Sequence, residues 1–291
     1  MLTNALLWPD IPWREITLET GIAIEDVQPL GEGWDAFVFR AREVVFKFAK
    51  RADNWDQLAV EYRVQGMLQD SLPTKTPRGL VQEGRSNAWP FGYTAQEFVE
   101  GKPFVAESSD TRSVSTQIGQ ALRTLHTLPL TPAQYETLPS YDRLQEAEAT
   151  VEPAFQIIED RLNPRDCGRL RSEVDRVLAT PHYFEGGTAL LHNDLHAEHV
   201  LMSNEGDLAI IDWADAGIGD PDIDFLPLHW SHGQAFIAPC IEAYGHEDPA
   251  SLYRKLEDLG LLYSLMLITY APKYGAANEA VGAWEDLAAR L

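Results

Sequence analysis

The sequence predicts an α+β fold in two lobes: a small one over residues 1–100 with an antiparallel sheet and one helix, and a larger, mainly helical one over residues 101–291. Three observations carry this expectation. Ala36-Phe37-Val38-Phe39 and Val44-Val45-Phe46-Lys47-Phe48, rich in β-branched and aromatic residues, follow the glycine turn Gly31-Glu32-Gly33 and read as two antiparallel strands. Beyond residue 100, apolar residues recur at helical spacing, as in Val114, Ile118, Ala121, Leu122 and Leu125. At 291 residues the chain is long enough for each lobe to bury a core.

The elements follow in order. Val27-Gln28-Pro29-Leu30 leads into the glycine turn, and Asn54 stands where it can cap a helix over about residues 55–70. In that helix Leu58, Val64 and Leu68 share a face with Glu61. A carboxylate among apolar neighbours needs a partner, because burying an unpaired charge is costly. A strand over about residues 93–99 ends at Glu100-Gly101-Lys102-Pro103, a turn-forming cluster that reads as the connection between lobes. Pro129 closes the helix carrying Leu125, and residues 141–178 and 251–291 continue the helical pattern. Two short apolar runs interrupt it, Ala189-Leu190-Leu191 and Leu208-Ala209-Ile210-Ile211. Each is followed at once by polar residues, which is where chemistry is expected.

Lys and Arg total 23 against 45 for Asp and Glu, a net charge of −22. That balance repels a nucleic-acid backbone; it attracts polycationic ligands and equally serves solubility. Cys167 and Cys240 lie far apart and match no metal-ligand spacing, so they read as small core residues of a reducing compartment. Met1-Leu2-Thr3-Asn4 begins no basic-then-apolar leader, and no stretch approaches the roughly 18 apolar residues of a membrane span. The expectation is a cytoplasmic protein with no membrane partner.

The most specific signal is Leu190-Leu191-His192-Asn193-Asp194-Leu195-His196-Ala197-Glu198-His199-Val200-Leu201, followed by Ile210-Ile211-Asp212-Trp213. Phosphoryl transfer to an alcohol needs a carboxylate near the acceptor hydroxyl, ligands that hold Mg2+ against the phosphates, and a cation that orients those phosphates. His192-Asn193-Asp194 corresponds to the catalytic loop of protein kinases, Asp212 to their metal-binding Asp after an apolar strand, Lys47 to their strand lysine and Glu61 to its helix partner.

These motifs resemble the aminoglycoside phosphotransferase family over nearly the whole chain. The resemblance implies a protein-kinase-like fold, in which Gly31-Glu32-Gly33-Trp34-Asp35 is the nucleotide loop and residues 219–225 carry downstream structural aspartates, Asp220 and Asp224. It implies ATP or GTP as donor and a small-molecule hydroxyl as acceptor. Asp194 would be the catalytic base, and His199 and Asp212 would hold Mg2+. Gly31, Gly33, Lys47 and Glu61 would serve the nucleotide, whose purine edge would pair near Gln96 and Phe98.

Family members mostly carry Asn five residues after the catalytic Asp, where this chain has His199. The same replacement is similar to that in aminoglycoside 2''-phosphotransferases and macrolide 2'-phosphotransferases. Imidazole is a softer ligand for Mg2+ than an amide oxygen. An aminoglycoside acceptor suits the acidic chain, whereas the apolar segment at residues 225–232 would suit a macrolide or another less charged acceptor. His199 alone suggests an inactive kinase-like binding protein, and retention of Lys47, Asp194 and Asp212 argues against it.

Overall fold

The β-branched and aromatic runs do form strands, and aromatic packing decides which way they face. The computed structural model describes residues 10–104, 111–274 and 277–291. Its regular elements begin with α1 (Trp13–Thr20), β1 (Val27–Glu32), β2 (Ala36–Ala41), β3 (Val44–Ala49), α2 (Trp55–Leu68), β4 (Gly79–Glu83), β5 (Tyr93–Glu97) and β6 (Lys102–Pro103). There follow α3 (Thr111–His126), α4 (Pro132–Glu136), α5 (Arg143–Ile158), α6 (Pro164–Leu178), β7 (Ala189–Leu191), β8 (Val200–Met202), β9 (Leu208–Ile210) and β10 (Gly217–Gly219). The chain closes with α7 (Leu226–Tyr244), α8 (Pro249–Tyr270) and α9 (Ala277–Arg290). It divides into two compact units: one runs to Phe104 and takes in Glu198–Ala216, and the other holds the rest of the described chain.

In the first unit, β1-β2-β3-β5-β4 form one antiparallel sheet in which Lys47 of β3 pairs Val38 of β2 and Thr94 of β5. Phe46 and Phe48 are fully buried on one face. There Trp13 of α1 meets Phe39, Phe46 and Phe48 edge-on, at 5.4, 5.6 and 5.6 Å between ring centroids. Burying each such ring contributes roughly 1.5–3 kcal/mol. Side chains alternate along a strand, so Lys47 between them points to the opposite face, toward α2. Leu58, Val64 and Leu68 of α2 are buried, and so is Glu61. Strands β6 and β8 pair, Lys102 with Met202, and Lys75 donates its N–H to Leu208 at 2.9 Å, which draws Glu198–Ala216 into this unit.

In the second unit α3 packs on α7 so closely that a Cβ on Gly119 would stand 2.1 Å from the Cys240 carbonyl oxygen. Ser115 Oγ donates to the Phe236 carbonyl at 2.5 Å across the same seam. Strand β7 pairs with β10, Leu191 opposite Gly217. A side chain at Gly217 would run into Tyr141 and the Pro139 carbonyl, so glycine permits β10 to lie against residues 139–141.

Several local expectations change. Residues 27–32 are themselves a strand, although they are mostly exposed and show no alternation. Asn54 occupies the N-cap position of α2 without capping through its side chain, whose Nδ2 donates to Asp35 Oδ1 at 2.6 Å instead. Lys102 and Pro103 form an edge strand rather than a plain turn. Cys240 is buried and Cys167 partly so, both as thiols. Residues 1–4, on which the leader reading rests, lie outside the described residues. Among the described residues no helix is long and apolar enough to cross a membrane.

Candidate active site

Strand alternation delivers Lys47 to α2, and the contact made there is an ion pair in a dry setting. Lys47 Nζ donates to Glu61 Oε1 at 2.8 Å and to Asp212 Oδ1 at 2.9 Å. Lys47 is 6% exposed and Glu61 1%. Glu61 Oε1 also accepts the Trp213 N–H at 3.3 Å, while Oε2 has no partner among the described residues. Burial alone would pull the Lys47 ammonium down, but the Asp212 and Glu61 carboxylates outweigh it and hold the amine above its ordinary value. Lys47 is therefore a fixed positive charge at neutral pH.

Asp212 sits just past β9 in a left-handed conformation, φ 64°, which costs a non-glycine residue on the order of 1 kcal/mol. The surroundings hold it there. Trp213 is fully buried and donates Nε1–H to the Ile210 carbonyl at 3.2 Å, and Ile211 N–H donates to the His199 carbonyl at 3.0 Å. His199 Nε2 stands 3.6 Å from Asp212 Oδ2. Asp35 and Asp215 join this neighbourhood: burial pushes both carboxyls up, and the Asp212 charge pushes them the same way. Carboxylate oxygens beside an imidazole nitrogen, with mutual repulsion to relieve, make a donor set that fits a divalent cation.

The glycine turn is tied at both ends. Lys50 Nζ donates to Glu32 Oε1 and to the Gly33 carbonyl, each at 2.6 Å. Asp35 accepts from Asn54 and from Gln57 Nε2, the latter at 3.2 Å. Neither Gly31 nor Gly33 has a positive φ. A Cβ on Gly31 would meet nothing within 4 Å among the described residues, and one on Gly33 only the Ala36 carbonyl oxygen at 3.9 Å. The fold requires glycine at neither position, so the bare backbone suits close approach by an outside group.

Gln96 and Phe98 belong to the same unit but are engaged elsewhere. Gln96 Oε1 accepts from Gln65 Nε2 at 2.6 Å, Phe98 donates its N–H to the Glu43 carbonyl at 2.8 Å, and the Arg40 guanidinium lies 3.4 Å from the centre of the Phe98 ring.

In the second unit, the chain leaving β7 is gripped by Asp224. This carboxylate is fully buried; it accepts the His192 N–H at 2.9 Å and the Asn193 N–H at 2.6 Å. His126 supports it, with Nε2 3.0 Å from Asp224 Oδ2 and Nδ1 3.1 Å from the Tyr244 hydroxyl. Burial would push the Asp224 carboxyl up, but the His126 hydrogen bond and charge outweigh it and hold it below the usual carboxylate range. Asn193 adopts φ 72°, and Asp194 follows with its N–H 3.4 Å from His192 Nδ1 and its Oδ2 3.7 Å from His196 Nε2. The Asp194 side chain is 36% exposed, so a solute can reach it. Asp220 is tied down, capping Asp222 N–H at 3.0 Å and receiving Lys255.

Four residues in contact with these groups escaped the sequence reading. Asp215 stood beside Asp212 in the motif with no sign of its direction. Lys50 belongs to no motif, and Asn54 reads as a helix cap. Arg143, which donates to Asn193 Oδ1, lies fifty residues from its partner and carries no local signal. The apolar segment at residues 225–232 turns out to be packing: Phe225 and Leu228 are fully buried, and Trp230 donates Nε1–H to Ser264 Oγ at 2.9 Å. Ser231 is exposed, and Trp230 and His232 are half-buried at the end of the segment.

The model of the phosphotransferase enzyme family (APH) matches residues 26–259. Over 120 residues the chain is 28% identical to viomycin phosphotransferase of Streptomyces vinaceus, covering 39% of this chain and 40% of that protein. Over 63 residues it is 33% identical to the uncharacterized protein YcbJ of Bacillus subtilis, 21% of each. The matches thus span about a fifth to two fifths of the length of these relatives. Among solved structures, the GDP complex of aminoglycoside 2'-phosphotransferase-IIIa superposes with a TM-score of 0.82 at 20% identity, covering 96% of this chain and 98% of that one. A macrolide 2'-phosphotransferase from Brachybacterium faecium gives 0.67 at 22% identity, covering 94% and 96%. At these identities the likeness establishes the fold, the α+β kinase-like one. With the family model spanning well over half of its length, the chain belongs to the phosphotransferase enzyme family.

Proposed function

We propose that this protein transfers the γ-phosphoryl group of ATP or GTP to a hydroxyl of a small molecule, with an aminoglycoside antibiotic as the leading acceptor class. The observation that carries the proposal is Lys47 held between Glu61 and Asp212 in a buried setting, a fixed cation beside a carboxylate that fits a metal. In this reading the turn at Gly31 and Gly33 offers its backbone to the nucleotide. Lys47 orients the phosphates, and Asp194 accepts the acceptor's proton. The acceptor oxygen forms a bond to the γ-phosphorus as the bond from that phosphorus to the β-bridging oxygen breaks, and the bridging electron pair leaves with the nucleoside diphosphate. Asp212 and His199 would hold Mg2+, which when bound supplies neutralisation of the charge on the transferred group. Positioning and electrostatics do the remainder of the work, since little covalent chemistry falls to the protein.

An aminoglycoside is favoured by the net charge of −22, which draws a polycation toward the chain. It also accords with the similarity to the GDP and kanamycin complex of APH(2'')-IIia, at a TM-score of 0.82 and 20% identity. A macrolide is the second reading, supported by the structural likeness to a macrolide 2'-phosphotransferase. The cysteines stand as thiols, which suits a cytoplasmic setting. The test is donor consumption with Mg2+, ATP or GTP and a panel of aminoglycosides, macrolides and small amino alcohols. Stimulation by an aminoglycoside supports the leading reading, and stimulation by a macrolide alone replaces it with the second.

A further inference from the structure

Arg143 is the first residue of α5, immediately after the N-cap Asp142, which accepts the Gln145 N–H at 3.0 Å. A cation is a poor choice there, because the helix N-terminus carries the positive end of the peptide dipoles. The side chain is nevertheless held by three contacts. Nη1 donates to Glu146 Oε2 at 2.9 Å, the guanidinium lies 4.9 Å from the centre of the Tyr141 ring, and Nη2 donates to Asn193 Oδ1. The first two are local to α5 and would exist without any function. The third reaches fifty residues along the chain to the residue before Asp194.

Asn193 is the point at which the backbone turns left-handed, φ 72°, on its way from the buried His192 to the partly exposed Asp194. Asn tolerates this conformation better than most residues but, unlike glycine, does not adopt it freely. Asp224 fixes its N–H and Arg143 its side-chain oxygen, so the residue is held on two sides. A rotation at Asn193 would swing the Asp194 carboxylate, and misplacing a base by about 1 Å can cost 100-fold in rate.

We infer that Arg143 is a positioning residue: through Asn193 Oδ1 it locks the left-handed turn that aims the Asp194 carboxylate. The inference rests on the reading of Asp194 as base and adds a residue to it. Arg143 touches neither reacting atom in this account.

The test is a double-mutant cycle of Arg143→Ala with Asn193→Gly, since glycine holds a positive φ without a side-chain anchor. Two readouts are taken on the full chain: hydrogen exchange of the segment at residues 190–199, and turnover with GTP or ATP and kanamycin. Arg143→Ala is expected to speed exchange of that segment at least tenfold and, where kanamycin is turned over, to lower kcat about tenfold while leaving the nucleotide KM within twofold. In the Asn193→Gly background, whatever that change itself costs, adding Arg143→Ala should alter either readout less than about twofold. Equal losses in both backgrounds, unchanged exchange in the single variant, or a raised kanamycin KM at constant kcat would each overturn the inference. The reading of Asp194 fails separately, if Asp194→Ala keeps wild-type turnover. The exchange readout decides the inference whether or not kanamycin is the acceptor.

Discussion

Lys47 and Asp212, 165 residues apart in the chain, meet at 2.9 Å. One comes from the centre of the sheet, where alternation turns it away from Trp13, and the other from a strand end forced into a left-handed turn. Glu61 completes the set from α2. The three side chains place one buried ammonium between two carboxylates, and in the proposed function that ammonium orients the phosphates.

Removing Lys47 leaves Glu61 as a buried carboxylate without its cation. Lys47→Met is expected to lower stability by about 3–5 kcal/mol, as breaking a buried pair does, and to weaken nucleotide binding. Lys47→Met with Glu61→Leu should recover most of the stability and none of the nucleotide affinity. Chemical denaturation and nucleotide titration on both variants check this. A double variant as unstable as the single one would mean that the pair is not what the single change disrupts.

His199 offers an imidazole where an amide oxygen would suit Mg2+ better. His199→Asn should therefore need no more Mg2+ for half-maximal activity than the wild type, whereas His199→Ala should need more. Titration of activity with Mg2+ and Mn2+ decides it. If the alanine variant shows an unaltered metal requirement, His199 is not a ligand.

The pH dependence of stability follows from Asp224. Its folded-state pKa lies below the unfolded value of about 3.9, so its contribution is present above roughly pH 4 and is lost as the pH falls through the folded value. Thermal melts of wild type and Asp224→Asn between pH 2.5 and 7 should differ most at neutral pH and converge in acid. A gap that stays constant across this range would contradict the assignment.

A polycationic acceptor drawn by a net charge of −22 should bind less well as salt screens the field. The KM for an aminoglycoside is predicted to rise severalfold between 0.05 and 0.5 M salt, while that for a macrolide, with little charge to screen, should stay within about twofold. Steady-state kinetics at several ionic strengths separates the two.

Much of this was legible in the sequence because the signals were local. The run Val44-Val45-Phe46-Lys47-Phe48 announced a strand, Glu61 among apolar neighbours announced a buried partner, and the motifs around Asp194 and Asp212 announced the family. What escaped was set by contacts distant in sequence. Strand β1 exposes most of its residues and is recognisable only by its pairing with β2. Asn54 reads as a cap until Asp35, nineteen residues earlier, is seen to take its amide. The segment at residues 225–232 has a uniform apolar and aromatic composition, and only the packing of α7 separates its buried start, through His229, from the half-buried Trp230 and the exposed Ser231.

Asp194 as the base of a phosphoryl transfer is tested by pairing nucleotide binding with turnover in Asp194→Ala. Nucleotide affinity should stay within about threefold of wild type while acceptor-stimulated turnover falls by several orders of magnitude. Turnover near the wild-type rate in that variant, with the same acceptor, would contradict it.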